Sequence, residues 1–218
     1  MGHLSIHIQE TLHFELWYWV LLTGYLLGSI PWGVVISRVF LGIDPRSQGS
    51  GNIGMTNVMR TGGKWPGLAT FVLDFGKGAL AVWLSHSIFK APEALTLVCG
   101  FLVVFGHTRS IFLGFSGGKG VATNFGVWLA IDWRVFLTIV LIWIGLFLWK
   151  KISSLSAICG LMLLPGITFL FNQTGDELYL ASILSLYLIL LHKANIVRLM
   201  SGEESKLKSK PKDEHADR

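Results

Sequence analysis

The feature that most restricts this chain is a succession of long apolar runs that leaves little polar sequence between residues 15 and 192. A helix crosses the hydrocarbon core of a bilayer with roughly 20 predominantly apolar residues. Runs of that kind fall near 15–40, 66–88, 94–113, 120–131, 134–149, 152–171 and 177–192. The expected fold is an all-α integral membrane protein of about seven transmembrane helices. Two runs are short, and the break at Asp132-Trp133-Arg134 also fits one long span or a re-entrant pair, so the pattern allows five to seven spans. Composition agrees: 52% of residues are hydrophobic and only 14% charged, against roughly 25% charged in soluble domains. A soluble globule and a disordered chain are excluded. Cys99 and Cys159 each sit inside an apolar run and read as buried thiols, not as a disulfide framework or a metal site.

The chain divides into an N-terminal extension, 1–14, a membrane domain, 15–200, and a charged tail, 201–218. The extension carries Glu10 and no Lys or Arg, unlike the basic start of a signal peptide. Basic residues accumulate in loops kept in the cytoplasm. With seven spans, one side collects the basic residues from Arg38 to Lys64, then Arg109, Lys119, Lys150, Lys151, Lys193, Arg198 and the tail. The other side holds Lys90 and Arg134 among several acids. The expected orientation puts the N-terminus outside and the C-terminus inside. This topology, with attraction to anionic membrane lipids, accounts for the net charge of +5 without a nucleic-acid partner.

The basic side also holds the unusual polar sequence. The stretch from Gly42 to Lys64, GIDPRSQGSGNIGMTNVMRTGGK, combines glycines, whose backbone N–H groups can converge on an anion, with Arg46, Ser50, Asn52, Thr56 and Asn57. A second loop, Gly114 to Thr123, sets Lys119 among Gly117, Gly118 and Gly120 where a helix begins, a position that favours anions. It is not a nucleotide P-loop: Leu113 stands where that motif needs its first glycine, and Gly120 follows the lysine. Within the second run, Asp74 and Lys77 are three apart and share a helix face, which fits an ion pair lining a polar interior or a ligand contact. Ser29-Ile30-Pro31 should free carbonyls and turn Ser29 inward. His192 and Asn195 share a face at the end of the last run, and His107 stands where it either supports the second loop or packs as a satisfied core histidine.

Taken together, GSIPWG (28–33), DPRSQGSGNIGMTNVMRTGG (44–63), LDFGKG (73–78), GFSGGKGVAT (114–123) and HKANIVRLMSGEE (192–204) resemble the bacterial acyl-phosphate:glycerol-3-phosphate acyltransferase family, the PlsY type, over about residues 20–207. The resemblance implies a seven-helix enzyme of the bacterial inner membrane with a cytoplasmic active site. It would transfer a fatty acyl group from acyl phosphate to the sn-1 hydroxyl of glycerol 3-phosphate, giving lysophosphatidate and phosphate, without cofactor or metal. The implied partners are glycerol 3-phosphate, long-chain acyl phosphate, membrane lipids and the enzyme that makes acyl phosphate. Carried onto this sequence, the catalytic positions are His192 and Asn195. The substrate-binding positions are Ser29, Arg46, Gly49, Ser50, Gly51, Asn52, Thr56, Asn57, Gly117, Gly118, Lys119, Gly120 and Ser154. Asp74, Lys77 and Glu203 give structural support.

The chain departs from the family pattern in the second loop, where Arg109-Ser110 replaces Phe-Pro, Ser116 replaces Lys and Thr108 replaces an aliphatic residue. Arg109 is the expected substitute for the missing charge. Two alternatives remain at this point: a transporter of an organic phosphate, and a divergent member with altered donor or lost activity. No internal repeat supports transport. The HxxxxD pattern of acyl-CoA glycerolipid acyltransferases is absent, since Ala91, Phe112 and Val197 stand five residues after His86, His107 and His192.

Overall fold

A computed structural model describes residues 2–172 and 175–207. Met1, Gln173, Thr174 and the tail from 208 to 218 lie outside the described residues, and with them most of the basic tail and part of the expected loop before Glu177. The described residues form ten α-helices joined by loops: α1 (Gly2–Ser29), α2 (Trp32–Leu41), α3 (Met55–Gly62), α4 (Lys64–Trp83), α5 (Glu93–Thr108), α6 (Val121–Ile131), α7 (Trp133–Lys150), α8 (Ser153–Asn172), α9 (Gly175–Leu191) and α10 (Lys193–Met200). The expected runs and the observed helices coincide closely. Five stretches are long and apolar enough to cross a membrane: Glu15–Leu41, Lys64–Ile88, Glu93–Leu113, Trp133–Lys150 and Ser153–Phe171. A sixth candidate is α9 with α10, bent by 62° at their junction. Helix α1 begins at Gly2 and so continues through the segment assigned to an extension.

The ambiguous fourth and fifth runs are two separate helices. Asp132 leaves the helical region, and its carboxylate accepts the Arg134 N–H at 2.8 Å, capping α7. At about 1.5 Å per residue, α6 is only about 16 Å long, roughly half the hydrocarbon thickness. Its N-terminus starts among buried residues, Gly118, Gly120 and Thr123, while Gly114 to Ser116 of the second glycine loop are exposed.

Close helix contact depends on small residues, as expected where no water drives association. A Cβ on Gly28 would collide with the Val103 carbonyl, and one on Gly106 with the Tyr25 carbonyl, so α1 and α5 meet backbone to backbone. The break at Ser29-Ile30-Pro31 behaves as its sequence suggests: Pro31 ends α1, and two carbonyls lose their helical partners. Ser110 Oγ donates to the Ser29 carbonyl at 2.5 Å, and Lys77 Nζ donates to the Ile30 carbonyl at 2.8 Å. Lys77 also pairs with Asp74 at 2.8 Å, both side chains almost fully buried, so the expected ion pair anchors α4 to the broken helix. Cys99 is buried and Cys159 half-buried, and both are free thiols.

Candidate active site

The elements that carry the polar sequence enclose one cavity of about 760 Å³. Its polar head is built from four places. The first glycine loop and α3 supply Gly49, Ser50, Asn52, Thr56, Asn57 and Arg60; the second loop supplies Lys119 and Gly120; the start of α8 supplies Ser153 and Ser154; and the α9–α10 junction and beyond supply His192, Asn195, Arg198, Glu203 and Glu204. Asp74 and His107 reach it from α4 and α5. An apolar arm continues from this head between Leu68, Phe71, Phe125, Val140, Trp143, Ile144 and Ala157.

The first loop is organised by Asn57. Its Oδ1 accepts the Ser50 N–H at 2.8 Å, and its Nδ2 donates to the carbonyls of Pro45 and Gln48 at 2.9 and 3.0 Å. These bonds close the loop on itself, so Asn57 shapes the cradle around the cavity. Gly49, with φ +60°, must lack a side chain, because a Cβ there would strike Asn57 Oδ1. Thr56 Oγ1 lies 3.0 Å from Ser153 Oγ and ties α3 to the start of α8.

The second loop is held by His107, one of the two readings its position in the sequence allows. The Gly118 N–H donates to the His107 carbonyl at 3.1 Å, and a Cβ on Gly118 would collide with the imidazole. His107 Nδ1 in turn lies 3.4 Å from Asp74 Oδ1. The buried Asp74–Lys77 pair therefore sets both the break in α1 and, through His107, the loop that ends in Lys119. Lys119 Nζ donates to Asn195 Oδ1, at the N-terminus of α6, where the helix dipole favours anions. Burial, reinforced by the charge of Arg198, holds the Lys119 ammonium below the ordinary lysine range, with Glu204 acting in the opposite sense.

The carboxylate that ties the C-terminal elements together is Glu204, one residue beyond the expected Glu203, which is exposed. Glu204 Oε1 accepts from Ser154 Oγ at 2.7 Å and from Asn195 Nδ2 at 2.6 Å, and Oε2 accepts from Arg198 Nε at 2.6 Å. Burial opposes the charged form, but these three donors outweigh it and hold the Glu204 carboxyl below its usual range. Because a carboxylate only accepts, Asn195 must turn its amide NH₂ to Glu204 and its oxygen to Lys119. The segment past α10 is fixed further by Arg60 to Ser205 Oγ, 3.1 Å, and by the Leu207 N–H to the Lys151 carbonyl, 2.9 Å. His192 is buried at the α9–α10 bend with Nδ1 2.7 Å from the Leu188 carbonyl. A carbonyl can only accept, so Nδ1 carries the proton, and Nε2 of the neutral ring is an acceptor.

Several expected site residues are not in the cavity wall. Arg46 is exposed, its guanidinium bonded to Asp44 at 2.7 to 3.2 Å, because Asp44 caps the short turn Pro45–Ser47 and draws the side chain back onto itself. Ser29 is fully buried in the α1–α5 contact, where its carbonyl bonds to Ser110. Gly51 is exposed at the loop tip; Gly117 and Gly118 pack on His107 and Thr108 behind the cavity; and Lys77 serves Asp74 and Ile30. Arg109 is exposed with no place in the cavity wall, so it does not substitute there for the charge missing at Ser116. The substituted positions beside it are bonded instead: Thr108 Oγ1 lies 2.6 Å from Tyr187 Oη, and Ser110 bonds to Ser29. Sequence reasoning missed Arg60 and Glu204 and undervalued Arg198, although all three stand in the quoted motifs. Among the described residues, no three His, Cys, Asp or Glu side chains gather as a metal ion would need.

Comparison with known proteins identifies the family. A family model described as "Glycerol-3-phosphate acyltransferase" matches residues 18–202. A glycerol-3-phosphate acyltransferase of Paramagnetospirillum magneticum is 45% identical over 88% of this chain and 94% of its own. One of Carboxydothermus hydrogenoformans is 43% identical over 85% and 94%. Among solved structures, the crystal structure of PlsY, an integral membrane glycerol 3-phosphate acyltransferase in its glycerol 3-phosphate form, superposes with a TM-score of 0.83 at 37% identity, covering 88% of this chain and 96% of that one. Its lysophosphatidic acid form gives 0.79 at 36% identity. With its helical membrane fold and this cavity, the chain belongs to the glycerol-3-phosphate acyltransferase family of integral membrane enzymes of phospholipid synthesis.

Proposed function

We propose that the protein transfers a fatty acyl group from acyl phosphate to the sn-1 hydroxyl of glycerol 3-phosphate, at the cytoplasmic face of a bacterial inner membrane. The observation that carries this reading is the two-part cavity: a head with cationic, amide and hydroxyl groups, continuous with an apolar arm. The head suits two phosphate-bearing groups and the arm suits a fatty chain. A transporter would not need a hydroxyl-positioning pocket joined to a lipid-sized arm.

Acyl phosphate already carries a good leaving group, so the protein's task is alignment and charge stabilisation. Arg60 and Lys119, with the N–H groups of the first loop, hold the phosphates. His192, Lys119 and Asn195 fix the acceptor's position and leave its attacking hydroxyl free to donate to the acceptor's own phosphate. The hydroxyl oxygen attacks the acyl carbonyl carbon, the carbon–oxygen bond to phosphate breaks, and inorganic phosphate leaves. The hydroxyl proton passes to the acceptor's own phosphate, whose second pKa of about 6 suits a base at neutral pH. No covalent acyl-enzyme is required.

The test supplies purified protein in detergent with glycerol 3-phosphate and palmitoyl phosphate, with palmitoyl-CoA as control donor, and measures phosphate release and lysophosphatidate. Release that needs both substrates, and fails with the CoA ester, supports the reading. No lysophosphatidate with any donor, together with uptake of glycerol 3-phosphate into vesicles, overturns it. His192→Ala should raise the apparent KM for glycerol 3-phosphate and leave turnover measurable at saturation; complete loss of kcat would make His192 the base.

A further inference from the structure

The second loop leaves the end of α5, and three hydroxyl groups hold that exit. Tyr25 Oη donates to the Arg109 carbonyl at 2.9 Å and Ser110 Oγ donates to the Ser29 carbonyl, and both bonds run to α1. The third runs to α9: Tyr187 Oη lies 2.6 Å from Thr108 Oγ1. Thr108 Oγ1 directs its own hydrogen to the Phe105 carbonyl, 2.9 Å away, so in the contact with Tyr187 it accepts and the tyrosine donates. The Tyr187 ring packs beside Phe101 and Phe105, with centroids 6.0 Å from each, and this packing aims the hydroxyl.

Both ends of the Tyr187–Thr108 bond lead to the polar head. On the loop side, a Cβ on Gly117 would come within 3.0 Å of the Thr108 carbonyl and one on Gly120 within 3.2 Å of Thr108 Cγ2, so the backbone on either side of Lys119 rests on Thr108. On the α9 side, the next residue, Leu188, supplies the carbonyl that holds His192 Nδ1 at 2.7 Å, and its Cδ2 would meet the same Gly120 Cβ at 3.2 Å. The Lys119–Asn195 bond spans this junction. Neither Tyr187 nor Thr108 lines the cavity, so the pair can act there only through what it holds.

We propose that Tyr187 is a positioning residue for the acceptor: through Thr108 it fixes the second loop against α9, and so sets where Lys119 stands relative to His192 and Asn195. The inference rests on the reading that these three groups hold glycerol 3-phosphate. Arg60, carried by α3, takes no part in this junction, so the effect falls on one substrate.

The experiment uses the full chain in detergent, as wild type, Tyr187→Phe, Thr108→Val, the double variant and Thr96→Val. The last breaks a comparable buried pair, Ser85 Oγ to Thr96 Oγ1 at 3.0 Å, near the other end of α5. Affinity for glycerol 3-phosphate alone is measured by calorimetry, KM for glycerol 3-phosphate and for palmitoyl phosphate by phosphate release, and stability by the melting temperature. Tyr187→Phe keeps the ring and should weaken glycerol 3-phosphate about tenfold in affinity and KM, the low end of what losing a hydrogen bond to a charged group does, with KM for palmitoyl phosphate within about twofold of wild type. The double variant should match the single ones, because the two residues act through one bond. Thr96→Val should lower the melting temperature and leave both KM values unchanged. Unchanged glycerol 3-phosphate affinity in Tyr187→Phe overturns the proposal, and so does a loss shared equally by both substrates or reproduced by Thr96→Val. A double variant that multiplies the two single losses also overturns it, since the residues would then act independently. If the wild type binds glycerol 3-phosphate but makes no lysophosphatidate with any donor, acyl transfer fails, and the affinities alone decide the positioning role.

Discussion

Arg46 and Arg60 stand on one glycine-rich segment, and sequence reasoning names only the first as a planar fork for phosphate oxygens. The structure separates them. Arg46 folds back onto Asp44 outside the cavity, while Arg60, carried by α3, reaches the cavity wall and donates to the neutral Ser205 hydroxyl. A guanidinium already matched by a carboxylate offers little to a phosphate. One that meets, among the described residues, a neutral hydroxyl keeps its charge for a ligand. Proximity in sequence to a phosphate-like loop is thus a weaker guide than what each charge already touches.

The largest expected effect belongs to Lys119, the cation nearest Asn195 and His192. Lys119→Ala should lower kcat/KM by about 10² to 10³, the range seen when a charge-stabilising donor is removed, without loss of the folded protein. Its proton gives a second readout. Because burial lowers its pKa in the fold, the ammonium deprotonates at lower pH than an ordinary lysine, so the alkaline limb of activity should fall below the usual value near 10.4. In Lys119→Arg the charge persists to higher pH, and any surviving activity should lose that limb. An unchanged limb would remove Lys119 from the site.

Arg60→Ala comes next. A hydrogen bond to a charged group contributes about 1.5 to 3 kcal/mol, so kcat/KM should fall about ten- to a hundredfold, mainly through KM for a phosphate substrate. A loss below about threefold would show that the phosphates bind elsewhere in the head and would erase the contrast with Arg46.

How much of this was legible beforehand follows the range of the interactions. Apolar runs, the proline break at Pro31 and the three-residue spacing of Asp74 and Lys77 are local, and the sequence displays them directly. The part played by Glu204 is not local: its carboxylate bonds to Ser154, fifty residues earlier, only because the chain after α10 folds back over the head. Neighbouring Glu203 has the same chemistry and lies exposed at the cavity's edge, and no periodicity in an irregular segment distinguishes the two. Ser29 differs for a related reason: it is buried at the break, outside the cavity wall, and its contact with Ser110 is made by its carbonyl. Which side an inward turn faces is decided by packing.

Glu204→Gln should have a moderate effect, near tenfold in kcat/KM, because a glutamine can present its NH₂ to Asn195 and so allow that amide to flip away from Lys119. The change also carries a pH signature. The folded pKa of Glu204 is depressed, so its stabilisation is present above the ordinary glutamate value of about 4.3 and is lost as pH falls through the lower folded value. Unfolding free energy of the wild type should therefore decline on acidification more than that of Glu204→Gln. Equal decline in both would mean that other carboxylates, not this one, hold the C-terminal strap.

The smallest effect should come from Arg46→Ala. Asp44 keeps Arg38 Nη2 at 2.8 Å when Arg46 is removed, and its carboxylate still accepts the residue-46 backbone N–H at 3.0 Å, so the turn Pro45–Ser47 remains capped. The lost pair is solvent-exposed, 42% on the arginine side, and exposed pairs contribute about 0 to 1 kcal/mol. Activity should stay within about twofold of wild type, with the salt dependence of KM for glycerol 3-phosphate unchanged, whereas Arg60→Ala should flatten it by removing a charge from the cavity. If Arg46→Ala instead matched Arg60→Ala in both KM and salt dependence, the arginine would have to leave Asp44 when substrate binds. The two positions would then be successive contacts for one phosphate, with Asp44 as the group that competes for the first.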